Sequence, residues 1–133
     1  MNGNIKLKLL KILLFMGVGY YLVGGIAHLL GLTIFPFYVA TLYSPYHDTV
    51  IALSSFTLTI ILFAVAKNPE KNIDVLNGLI LAGFLAIIFS FYILLKIDFP
   101  QTGMDKKFQT IVELILLIIY VVALLILKPR KGS

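Results

Sequence analysis

Four side chains carry most of the acid–base chemistry open to this chain: His28, His47, Asp48 and Glu113, drawn from only two histidines and six acidic residues in 133. An imidazole beside a carboxylate can take up and release a proton near neutral pH. It can also hold the polar group of a lipid or of a partner. Tyr43 and Tyr46 flank the second histidine and would form the rim of such a polar pocket. Metal chemistry has less support: the ligand types are acceptable, but their spacing matches no compact motif such as paired histidines one helical turn apart, so no metal is expected. Haem held by both histidines would need them at equal depth, and no cofactor is named by the residues. Ser54, Ser55 and Ser90 lie without a base at obvious reach, which leaves no case for a serine nucleophile. The absence of cysteine excludes disulfides and thiol redox chemistry within the chain.

The elements that must position these groups are apolar helices. The composition is 60% hydrophobic and 13% charged, where a soluble domain carries about 25% charged residues. Crossing a bilayer takes about 20 mostly apolar residues, and 12–32, 49–66, 75–95 and 108–127 each meet that within the tolerance for tilt. Little alternation of apolar and polar residues argues against a transmembrane barrel. The expected fold is an all-α membrane domain of four transmembrane helices, spanning 1–133 as one unit in an antiparallel up-down-up-down bundle with short connections.

Charge orients it. Lys6, Lys8 and Lys11 precede the first span, Lys67 and Lys71 separate the second and third, and Lys128, Arg130 and Lys131 follow the fourth. The loop 33–48 has no Lys or Arg, so the positive-inside rule places both termini in the cytoplasm. A cleavable secretory signal ending near Gly25-Ile26-Ala27 is the competing reading of the start, but the apolar run continues past Ala27 and is longer than a signal's apolar region. Lysine- and isoleucine-rich composition without tryptophan suits an AT-rich microbial genome, hence a cell membrane location. The net charge of +5 reflects this orientation, and no nucleic acid partner is expected.

Between spans, Pro36 and Pro45 break helix, and the aromatic residues around them suit the headgroup zone. Asp48 or Thr49 is expected to cap the second helix and Asp74 the third. Gly17, Gly24 and Gly31 recur every seven residues with Tyr21 and His28 between them, a stripe that would let another helix approach closely. Asp48, Ala52, Ser55, Thr59 and Ala66 form a comparable seam on the second span, as do Gln109, Glu113, Tyr120 and Ala123 on the fourth.

In this topology His28 lies about one turn below the outer end of the first helix and Glu113 one to two turns below that of the fourth. They are therefore expected to be partners, with His47 and Asp48 just above them. A charged carboxylate at membrane depth costs about 2.5 to 3.5 kcal/mol, which demands a partner, a proton or water. The same residues would serve equally as structural glue between helices.

The function expected from this is a small multi-pass membrane protein, a non-enzymatic binding or accessory component with an outward polar pocket. Its partners would be membrane lipid and another membrane protein or a second copy. Two alternatives stay open. One is a membrane enzyme or redox component acting on an amphipathic substrate such as a quinone or isoprenoid; the other is a small oligomeric transporter or channel.

Overall fold

The computed structural model describes residues 3–34, 43–98 and 104–129, with the side chains of 104 and 105 set aside. It contains four helices: α1 (Gly3–Leu30), α2 (Pro45–Lys67), α3 (Ile73–Lys96) and α4 (Met104–Leu127). All four are long and apolar enough to cross a membrane. The proline- and tyrosine-rich stretch 35–42, Pro100, Gly103, Arg130 and Lys131 lie outside the described residues.

Each helix is apolar around most of its circumference, and between 11% and 28% of its most apolar window is buried against the rest of the chain. The remainder presents large side chains outward, Leu81, Ile88, Phe89 and Leu95 on α3 among them. So much exposed hydrocarbon is unfavourable in water and neutral in lipid, which makes the fold compatible with a small membrane protein. Five hydroxyls in the helices are satisfied within their own helix: Thr49, Ser54, Thr57, Thr59 and Thr110 each donate to the carbonyl four residues back, which keeps those donors from meeting the apolar phase unpaired.

α1 lies mainly along α2, α3 lies on α4, and α1 also meets α4; α2 and α3 touch only slightly. A short turn joins α2 to α3 all the same, although the two helices make little contact. There, Asn72 donates through Nδ2 to the Asn68 carbonyl at 2.9 Å, and the Lys71 amide donates to Asn68 Oδ1 at 3.3 Å. α3 begins at Ile73, with Asn72 at the capping position and Asp74 already inside the first turn.

α2 begins four residues before the expected Thr49, because Pro45 at its first position is pre-set for helix and has no amide to leave unpaired. Asp48 therefore sits inside the first turn. It still serves the helix start, since Oδ2 accepts from the Ser44 amide at 2.6 Å. Thr49 instead donates back to the Pro45 carbonyl.

One buried apolar cluster joins all four helices: Leu10 and Leu14 of α1, Leu62, Val65 and Ala66 of α2, Leu76 and Ile80 of α3, and Val121 and Leu124 of α4. It occupies the half of the molecule nearest the start of α1. His28 and Asp48 lie toward the other end, at the end of α1 and the start of α2.

Candidate functional site

His28 closes the last turn of α1, and Asp48 opens the first turn of α2. Their side chains meet: His28 Nδ1 lies 2.6 Å from Asp48 Oδ1, with 18% of the imidazole and 7% of the carboxylate exposed. Two local devices hold the pair. On α1, Gly31 adopts φ +63°, the Leu32 amide donates to the Ala27 carbonyl at 2.9 Å, and the Gly31 amide points back to the His28 carbonyl at 3.4 Å. This is a Schellman ending, which needs a left-handed residue that glycine supplies without strain. On α2, the Asp48 carboxylate bridges its own helix start and α1, accepting from the Ser44 amide with one oxygen and facing His28 with the other. The dipole at the helix N-terminus favours negative charge there.

Glu113 belongs to the same side of the molecule by a different route. Along α4, Lys106 Nζ donates to Gln109 Oε1 at 3.1 Å, and Gln109 Nε2 donates to Glu113 Oε1 at 3.1 Å. The spacing of three and four residues puts this relay on one face, and Gln109 is 2% exposed. The Glu113 carboxyl lies within electrostatic range of His28 and Lys106, and the hydroxyls of Tyr20 and Tyr21 lie within range of it. The histidine's direct partner is nevertheless Asp48. Sequence spacing points to Glu113, because depth puts that acid level with His28 and Asp48 just above, and says nothing of which helix α1 packs against.

The remaining residues of the anticipated pocket are placed differently. His47 is exposed and turned to Ser44, with Nδ1 2.9 Å from Ser44 Oγ. Tyr46 is 75% exposed and meets the His47 ring edge-on at 5.4 Å. Both point away because Asp48 faces α1, and neighbouring positions on a helix differ by about 100°. Tyr43 lies over Gly31, close enough that a Cβ there would sit 3.2 Å from its ring. Ser44 and Lys106 were not singled out by sequence reasoning; only the capping position of Ser44 before Pro45 could have flagged it.

The glycine stripe divides into separate roles. At Gly17 a Cβ would overlap the Tyr120 hydroxyl, so its absence admits α4. At Gly24 there is nothing within 4 Å, and the close approach falls on Gly25, where a Cβ would lie 2.8 Å from Phe56. Gly31 ends the helix. A seven-residue repeat drifts by about 20° per heptad on a straight helix, so the stripe turns gradually across the face of α1. Tyr120 itself has a buried hydroxyl with no hydrogen-bond partner among the described residues.

Among the described residues no three His, Cys, Asp or Glu side chains are grouped to hold a metal ion. No family model, curated protein or solved structure matches this chain. This side of the molecule carries two polar groupings: an imidazole–carboxylate pair clamping α1 to α2, and a lysine–amide–carboxylate relay on α4.

Proposed function

We propose that the protein is a small multi-pass component of a cell membrane, with both termini cytoplasmic and its helices running up and down in turn. On this reading it acts by binding rather than by catalysis. Its outward half holds the polar group of a lipid or of a partner membrane protein. The observation that carries the proposal is the 2.6 Å contact between His28 and Asp48, mostly buried and joining two helices on the side that also carries Glu113. Ionisable groups at membrane depth are expensive, and here three of them share one region with a buried glutamine between a lysine and a carboxylate. With most of the chain in apolar helices, lipid or another membrane protein is the fitting class of partner.

A second reading draws on the same pair. A carboxylate at Nδ1 selects the tautomer and orientation of an imidazole, as a general base requires, so His28 could serve acid–base chemistry on an amphipathic substrate such as a quinone or isoprenoid. The test is purification in mild detergent, with lipid extraction and mass analysis, of the parent, His28→Ala and Glu113→Gln. A lipid or protein held in stoichiometric amount by the parent and lost from both variants supports the binding reading. Recovery of a quinone or isoprenoid that only His28→Ala loses favours the second. A parent protein that emerges bare, or variants that retain everything the parent does, defeats both.

A further inference from the structure

A cleft of about 390 Å3 opens at the opposite end of the molecule, where the start of α1, the start of α3 and the end of α4 meet. Lys6, Asn77 and Lys128 supply its polar lining, and Ile73, Leu125 and Ile126 its apolar wall. Lys128 Nζ donates to Asn77 Oδ1 at 3.0 Å, which anchors the ammonium across the gap between α4 and α3. Both lysines are half-buried. Among the described lining residues there is no carboxylate to balance them. Asp74, next to Ile73, is exposed and does not line the cleft. The apolar wall continues outward, with Leu125 and Ile126 at 46% and 61% exposed.

We infer that this cleft binds the headgroup of an anionic phospholipid. Two lysines line a space large enough for a phosphate diester, and the Asn77 amide nitrogen is a donor suited to a headgroup oxygen while its carbonyl is occupied by Lys128. The exposed Leu125 and Ile126 lead from the cleft along α4, in the direction acyl chains would take. Lipid, rather than free phosphate, is favoured because a soluble anion has no use for that apolar wall. Lys67 and Lys71 lie near the α2–α3 turn, outside the cleft, and raise the potential of this end without lining the site. The inference depends on membrane insertion alone and is independent of the His28 pair.

The full chain in neutral detergent is titrated with phosphatidylglycerol or phosphatidylcholine and bound lipid is counted by native mass spectrometry. The expected result is preferential retention of phosphatidylglycerol, weakened about 10- to 30-fold in Lys6→Gln/Lys128→Gln, at about 1 kcal/mol per lysine. Lys6→Gln alone, which disturbs no hydrogen bond seen here, should give a partial loss with unchanged helical content. Lys67→Gln/Lys71→Gln removes the same charge from the same end and should retain the preference. Equal loss in that control would show general surface attraction and overturn the site. So would equal retention of the two lipids by the parent, or displacement of phosphatidylglycerol by inorganic phosphate at comparable concentration, which would make the ligand a soluble anion.

Discussion

If the contact between His28 and Asp48 clamps α1 to α2, the two side chains must be energetically coupled, and a double-mutant cycle measures this directly. His28→Ala removes the imidazole and leaves the Asp48 carboxylate, 7% exposed, still accepting from the Ser44 amide. Asp48→Ala removes both the interhelical contact and the acceptor for that amide. The Ser44 term appears in the Asp48 single variant and in the double variant, so it cancels from the coupling. A hydrogen bond to a charged group contributes about 1.5 to 3 kcal/mol in soluble proteins, but interhelical bonds in membranes average about 0.6 and reach about 1.7 kcal/mol, because the unfolded chain in lipid finds other partners. The short distance and deep burial place this pair toward the upper end. We expect a coupling of about 1 to 1.7 kcal/mol, a factor of roughly 5 to 18 in the unfolding equilibrium. Reversible unfolding in mixed micelles, followed by helical circular dichroism, gives the four free energies. The parallel cycle between His28 and Glu113, which share a region without a direct bond seen here, should stay below about 0.5 kcal/mol. Additivity of His28→Ala and Asp48→Ala, or a larger coupling to Glu113, would refute the clamp.

Packing at the glycines makes two further expectations in the same unfolding assay. Gly17→Ala drives a methyl into the Tyr120 hydroxyl, with the ring carbon that bears it at 3.0 Å and Leu62 at 3.3 Å, and should cost about 1 to 3 kcal/mol. Tyr120→Phe removes a buried hydroxyl lacking a partner, so it should be near neutral alone and should reduce the cost of Gly17→Ala by about 1 kcal/mol; an undiminished cost would place the clash elsewhere. Gly25→Ala, 2.8 Å from Phe56, should destabilise by about 1 to 2 kcal/mol, whereas its neighbour Gly24→Ala should be neutral or gain up to about 1 kcal/mol from helix propensity. The reverse ranking would mean that α1 is rotated on α2.

Four helices long and apolar enough to span were readable from residue types, because hydrocarbon thickness sets a length and chain composition either meets it or does not. The interior seam of α2 was readable too: Asp48, Ala52, Ser55 and Ala66 are buried, as small and polar residues on one face of an otherwise apolar helix must be. Helix ends were less legible. Pro45 moved the start of α2, and Gly31 terminated α1 instead of joining a packing stripe, since a local φ preference outweighs a seven-residue repeat.

Partner choice belonged to the tertiary structure. Spacing puts His28 level with Glu113 and Asp48 just above, yet the packing of α1 along α2 gave the imidazole to Asp48 and left Glu113 to Gln109 on its own helix. The cleft of Lys6, Asn77 and Lys128 was likewise invisible, being assembled from three segments far apart in the chain. Local chemistry is written in nearest neighbours and periodicity, whereas the pairing of faces is decided by how side chains on different helices fit, which no single stretch of residues encodes.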